Sequence, residues 1–255
     1  MFFKMVRKIQ IFCFICIFLF VFNLSCSKQN NQFYKGRICL VIDDFGYALN
    51  DTIYNFLNLD SAITVAIIPG TIYAEKINFL ADSLGIPSIV HMPMEPNNYD
   101  EQSDKEYILR PGQNSLTINH RIQQAFQELP HAKGMNNHQG SFATEDIQLM
   151  KDVARSLKQK NKYFLDSFTN PDSRAFITMR RYGVKTELRQ IFLDHVESKN
   201  NIRKQLDSLA KLSEIMTVAI GIGHVKNLTY EVLKTEIPRL KKEGYSFVRL
   251  EDVVR

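Results

Sequence analysis

The sequence predicts an α/β protein, a single distorted β/α barrel of seven or eight mostly parallel strands. Three observations lead there. From residue 36 onward short apolar runs alternate with amphipathic stretches at helical spacing. The runs are near-continuous in Val, Ile and Leu, as strands buried on both faces are. Four of them end in polar clusters, Asp43-Asp44, His91-Met92-Pro93-Met94-Glu95, Asn136-Asn137-His138 and Gly223-His224, and α/β barrels collect their chemistry on loops at the carboxyl ends of strands.

The first strand is read at residues 38–42, followed by a helix at 51–59, a strand at 63–68, a helix at 71–84 and a strand at 87–90. After a loop at 92–115 come a helix at 117–129, a strand at 133–135, a helix at 144–160 and a strand at 163–165. A helix at 173–182, strand at 191–193, helix at 198–212, strand at 216–222, helix at 229–242 and strand at 247–250 complete the series. Thr144 is the expected N-cap of its helix, whose apolar stripe is Ile147, Met150, Val153, Ala154 and Leu157. Gly183 and Gly244 fall where C′ glycines stop helices. Pro238 predicts a kink or two short helices, since proline inside an uninterrupted helix costs about 3 kcal/mol.

The amino terminus has a different character. Lys4, Arg7 and Lys8 precede an apolar run from Ile11 to Phe22, shorter than the roughly 20 residues of a spanning helix. Residues 1–25 are read as an export signal, residues 26–35 as a flexible tether and residues 36–255 as the folded domain. Ser25-Cys26 and the polar stretch after it look like a bacterial lipoprotein signal with Cys26 lipidated; an uncleaved anchor and ordinary cleavage are the alternatives. Each places the domain outside the cytoplasm, in the periplasm or outer envelope. Cys13 and Cys16 lie within the apolar run, so a lipidated Cys26 leaves Cys39 without an intrachain disulfide partner. The chain is 45% hydrophobic and 23% charged, an ordinary globular composition that supports a core. Three charges of the net +5 belong to the signal, and no basic stripe carries interleaved aromatics, which argues against a nucleic-acid partner.

Adjacent carboxylates at a strand end repel unless a cation or shared proton relieves them, so Asp43-Asp44 points to a divalent metal. On extended chain the two would face opposite sides, leaving one as ligand and the other for a different post such as general base. His91 ends the third strand with Glu95 four residues on, and Pro93 and Pro96 hold that segment off helical geometry. His138 lies in a loop flanked by Gly134 and Gly140, where positive φ would let the backbone approach a ligand. His224 is placed to protonate a leaving group. Asp166 and Asp194 also follow strands and are candidate partners for a histidine. Arg189 is a candidate carboxylate partner, although a position ahead of its strand would point it away. His120, His131 and His195 read as ordinary surface or structural residues. Nucleophile-elbow, phosphate-loop, Cys-x-x-Cys and His-Glu-x-x-His patterns are all missing from the sequence.

The ordered set Val-Ile-Asp43-Asp44-Phe-Gly, His91-Met-Pro-Met-Glu95-Pro, Asn136-Asn137-His138-Gln-Gly-Ser, Phe-Leu-Asp166-Ser, Arg189-Gln-Ile-Phe-Leu-Asp194 and Gly-His224 resembles the divergent polysaccharide deacetylase family over residues 36–255. The resemblance implies the distorted barrel of metal-dependent polysaccharide deacetylases and a catalytic divalent metal, zinc being the expected ion. It implies Asp43 as general base, Asp44 as metal ligand and His224 as the final histidine. Where those enzymes carry a second histidine four residues after the first, this chain has Glu95.

The resulting expectation is a metal-dependent hydrolase that removes N-acetyl groups from an envelope glycan, peptidoglycan included. Asp44, His91 and His138 would hold the metal. Glu95 would orient a ligand or contact substrate, and Asn136 or Asn137 would stabilise the oxyanion. The absence of the second histidine motivates an alternative, a non-catalytic barrel that binds peptidoglycan or an envelope protein; a cell-wall peptide amidase is the third reading.

Overall fold

The computed structural model describes residues 34–98 and 106–255. The expected export signal, the lipidation site Cys26 and the tether up to residue 33 lie outside the described residues. The elements in order are β1 (Gly36–Phe45), α1 (Asp51–Leu57), β2 (Thr64–Ile67), α2 (Ala74–Ser83), β3 (Ser88–Met94), α3 (Ser115–Glu128), β4 (Gly134–Gln139) and α4 (Ile147–Gln159). Then follow β5 (Tyr163–Asp166), α5 (Ala175–Arg181), β6 (Thr186–Leu188), β7 (Ile191–Phe192), α6 (Lys199–Met216), β8 (Val218–His224), α7 (Asn227–Lys242) and β9 (Tyr245–Phe247).

Every paired strand runs parallel, in the order β6-β5-β4-β3-β2-β1-β8-β7 with β9 added to β1. One edge of the long β1 is covered by β8 from Arg37 to Asp43, so its other edge is shared, by β9 at Gly36–Ile38 and by β2 at Val41–Phe45. The two ends of the sheet path, β6 and β7, are separated only by Arg189 and Gln190. This short segment lies first beside β5 and then beside β8, and so brings the curled sheet round into a distorted β/α barrel.

Side-chain parity explains where the core and the site lie. In β1, Ile38, Leu40 and Ile42 join the large cluster packed against the helices, whereas Cys39 and Val41 join a second cluster with Ala66, Ile89, Leu165, Ile220 and Ile222. The second cluster fills the barrel interior, since each strand presents alternate residues to opposite faces. Continuing the interior parity to the carboxyl ends gives Asp43 after Val41, His91 after Ile89 and His224 after Ile222. Residues 136 and 138 follow the same rule in β4, where Met135 faces the helices.

Four local expectations are corrected. Helix α7 continues through Pro238, because Ile237 and Leu240 are buried on either side and Arg239 is tied to Glu236, Glu243 and Asp207. Thr144 sits in a 3-10 turn at Ala143–Glu145 and bonds Gly140 O; the N-cap of α4 is Asp146, whose carboxylate accepts from Leu149 N at 2.6 Å. Ile147, expected in the apolar stripe, is 50% exposed. The last strand lies at Tyr245–Phe247, ahead of the expected 247–250, and β6 was not expected at all.

Candidate metal centre and active site

The end of β1 breaks the alternation. Ile42 pairs with Val65 but Phe45 pairs with Ile67, so one extra residue is accommodated there as a bulge. Asp44 takes φ 70, a left-handed conformation uncommon for a non-glycine residue and concentrated at functional sites. The bulge corrects the expectation that the two carboxylates would face opposite ways: both approach Nε2 of His91, Asp44 Oδ1 at 3.3 Å and Asp43 Oδ2 at 3.6 Å.

His91 is buried, and its Nδ1 lies 2.8 Å from Asn136 Oδ1. The amide orientation of Asn136 is set by its other end, which donates to Asp43 Oδ1 at 2.9 Å and to Ser167 Oγ at 3.2 Å. Its Oδ1 must therefore accept from Nδ1–H of His91, which leaves the Nε2 lone pair for the centre of the site.

His138 completes a triangle. Its Nδ1 lies 3.2 Å from Asp44 Oδ1 and 3.1 Å from His91 Nε2. With the 3.3 Å edge between Asp44 and His91, the three sides are nearly equal. Ligand atoms about 2.0–2.1 Å from a tetrahedral zinc are separated by roughly 3.3–3.4 Å, so the triangle fits one face of such a coordination shell. Asp44 Oδ1 is buried and accepts no well-formed hydrogen bond from either imidazole, which is the state of an oxygen suited to a cation. Burial opposes ionisation of Asp44, but the proximity of His138 and His91 outweighs it and holds the carboxyl well below the usual range. The donor set, one carboxylate and two imidazoles, suits a small divalent metal.

On the other side of Asp44, Nε2 of His224 lies 3.9 Å from Oδ2. Nδ1 of His224 lies 2.8 Å from Asp194 Oδ1, while Asp194 Oδ2 accepts from His224 N and Thr229 Oγ1, each at 2.7 Å. Burial disfavours the charged ring, yet the hydrogen bond and charge of Asp194, with Asp44 and Asp43, raise the His224 pKa above its ordinary value. Burial also pushes the Asp43 carboxyl up, and Asp44 adds to this; His91, His224 and Asn136 oppose it without reversing the direction.

These groups line a cavity of about 420 Å³ together with Arg189, Phe192, His195 and Thr169. Arg189 is fixed by its own donors, Nε to Ser167 O at 2.7 Å and Nη2 to Phe168 O at 2.8 Å, with its guanidinium 4.9 Å from the Phe192 ring centre. It points inward because it follows β6, the strand missed in the sequence, so it occupies a carboxyl end after all.

The model of the divergent polysaccharide deacetylases matches residues 40–254, nearly the whole barrel. The chain belongs to the divergent polysaccharide deacetylase family. It is 34% identical over 205 residues to the uncharacterized protein YibQ of Escherichia coli strain K12, a match that covers 80% of this chain and 63% of YibQ, so it spans less than two thirds of that relative. Among solved structures, the uncharacterized protein ATU2773 from Agrobacterium tumefaciens C58 has a TM-score of 0.81 at 15% identity, with 86% of this chain and 89% of the other covered. A mutant of BA3943 from Bacillus anthracis, described as a CE4 family pseudoenzyme with restored enzymatic activity, has a TM-score of 0.54 at 13% identity, covering 86% and 68%. At these identities the likeness is one of fold, and the chemistry must be argued from side chains.

Within this family member the other candidate residues occupy different posts. Glu95 is not among the residues lining the cavity; its backbone oxygen accepts from Phe142 N and Ala143 N, which anchors the segment after β4. Asn136 spends its amide donors on Asp43 and Ser167, and Asn137 spends its own on Gln139 O and Thr169 Oγ1, so neither keeps a donor for an oxyanion. Asp166 reaches no histidine. Its oxygens accept from Phe168 N, Ser173 Oγ and Phe176 N and thereby shape the turn after β5. Of the three histidines read as ordinary, His131 pairs with Asp82 at 3.2 Å and His120 is exposed on α3, but His195 lines the cavity beside Phe192. Its place directly after Asp194 at a strand end was the available signal.

Proposed function

We propose that the protein is a metal-dependent hydrolase that removes N-acetyl groups from an envelope glycan such as peptidoglycan. The observation that carries this reading is the near-equilateral triangle of Asp44 Oδ1, His91 Nε2 and His138 Nδ1, flanked in one cavity by Asp43 and His224. Membership of a polysaccharide deacetylase family supplies the substrate class. Asp44, His91 and His138 would hold a divalent ion, zinc by the chemistry of the donor set, and when bound it supplies Lewis acidity toward an acyl oxygen and a water.

The remaining roles belong to the chain. Asp43, buried and tethered through Asn136, accepts the proton of the attacking water. As the C–N bond breaks, His224 gives the Nε2 proton to the departing amine, while Asp194 holds its Nδ1 and stabilises the imidazolium. Acetate and a free amino sugar are the products. Phe192, against which the His224 ring packs edge-on at 5.0 Å, offers an apolar face to the sugar. We place the domain in the periplasm or outer envelope, held to a membrane through lipid on Cys26.

The test is a screen of the purified, metal-supplemented full chain against N-acetylated peptidoglycan and chitin fragments, reading released acetate and released peptide separately. Acetate is expected. Peptide without acetate would mean a cell-wall amidase, and glycan binding without either product would mean a binding module.

A further inference from the structure

The amino-terminal ends of the strands form the face opposite the candidate active site, and a second cavity of about 340 Å³ opens there. Its lining carries four lysines. Lys133 immediately precedes β4, Lys162 precedes β5, Lys185 precedes β6, and Lys158 comes from the end of α4. Among the described residues none of the four has a carboxylate within ion-pair distance, and the one acidic group in the lining, Glu251, lies 3.8 Å from Arg249. Such a cluster of like charges repels itself and favours an anion.

The cavity also contains a polar group without a partner. Tyr163 is 7% exposed and interior-facing by strand parity, and its hydroxyl has no hydrogen-bond partner. A buried hydroxyl left unmade costs about 1–3 kcal/mol, so the position calls for an explanation. The chain makes room for this ring: a Cβ on Gly134 would meet it at 2.3 Å. Two lysines are held by backbone carbonyls rather than acids, Lys158 Nζ by Gly183 O at 2.6 Å and Lys162 Nζ by Ala132 O at 2.5 Å. Each ammonium retains donors beyond that one bond. Burial and the charge of Lys133 draw the Lys162 pKa down, an effect that an anion between them would relieve.

We propose that Lys133, Lys158, Lys162, Lys185 and the Tyr163 hydroxyl form a binding site for a phosphate-bearing group on the face of the barrel away from the active site. Several point-charge ammonium groups and one hydroxyl donor match the multiple acceptor oxygens of a phosphate. A lipid headgroup and a free phosphate share that chemistry. Tyr34 and Lys35 lead into β1 from the same side, which places the entry of the chain into the barrel and the lysines on one face.

Lysine acylation of the full chain in neutral detergent, read residue by residue by mass spectrometry, tests this. Inorganic pyrophosphate and short-chain phosphatidylglycerol are the two probes, with sodium chloride at matched ionic strength and short-chain phosphatidylcholine as controls. Protection of Lys133, Lys162 and Lys185 by severalfold, with Lys76 and Lys211 unchanged, is expected from at least one probe. Protection by pyrophosphate alone identifies free phosphate as the source, and protection by phosphatidylglycerol beyond phosphatidylcholine identifies a headgroup. Lys133→Gln combined with Lys185→Gln, both exposed positions, should abolish protection of Lys162, and Tyr163→Phe should weaken it. No protection by either probe, uniform protection of all lysines, or protection that survives the double variant would overturn the proposal.

Discussion

Asn136 binds His91 through its amide oxygen at 2.8 Å, and the nitrogen of the same amide binds Asp43 at 2.9 Å. One buried side chain thus fixes both the tautomer of a proposed metal ligand and the position of the proposed base. Loss of the group that orients a ligating histidine lowers metal affinity by about 10–100-fold. Asn136→Leu, similar in size and without donors or acceptors, is expected to show that loss in a competition titration against a chelator, with the fold retained by circular dichroism. Unchanged affinity would show that His91 needs no such support.

The triangle assigns the third ligand. His138→Ala removes one corner and should strip the metal from the purified protein, whereas Glu95→Gln, outside the cavity lining, should leave both metal content and turnover near wild type. The reverse pattern in a metal analysis would reassign the site to Glu95.

The pH dependence of kcat/KM follows from His224 and Asp194. Because Asp194 helps raise the His224 pKa, the proton donor stays charged to higher pH than an ordinary histidine would. Asp194→Asn removes that negative charge, so the basic limb should move to lower pH while the acidic limb, set by Asp43, stays in place. A basic limb that does not move would remove His224 from the role of acid.

The four polar clusters were legible because parity and topology are encoded locally: an apolar run of period-two residues carries Asp43, His91 and His224 onto the interior face without knowledge of the whole fold. What escaped depended on contacts distant in sequence. The bulge that turns Asp44 inward exists only in the register between β1 and β2. The strand β6, Thr186-Glu187-Leu188, is too short and too polar to announce itself, and without it Arg189 was placed on the wrong side of a strand. Asp166 has the same sequence setting as Asp194, but Ser173 and the backbone of its own loop claim its oxygens. Helix α7 survives Pro238 because burial and an Arg239 network on its flanks outweigh one lost hydrogen bond.

Gly140 tests the loop that carries His138. It has φ +81, and a Cβ there would meet Met94 Cβ at 2.8 Å. Gly140→Ala combines left-handed strain with overpacking, each costing about 1–3 kcal/mol, and should lower the midpoint of urea unfolding and loosen the metal together. A variant as stable as wild type would show that the loop yields easily.

The proposed anchor rests on Cys26. Cys26→Ser should abolish incorporation of labelled lipid and release the chain from membranes, since a mature lipoprotein carries several acyl chains and holds stably. Membrane association that persists in the variant would indicate an uncleaved apolar anchor instead.

The most direct measurement pairs metal content with acetate release in Asp43→Asn. Asp43 is outside the ligand triangle but beside it, so the variant should retain the bound metal at wild-type stoichiometry and release acetate from an N-acetylated glycan at least about 100-fold more slowly, the scale on which a positioned base acts. Wild-type protein that carries the metal but releases no acetate, or a variant that releases acetate at the wild-type rate, would contradict the account.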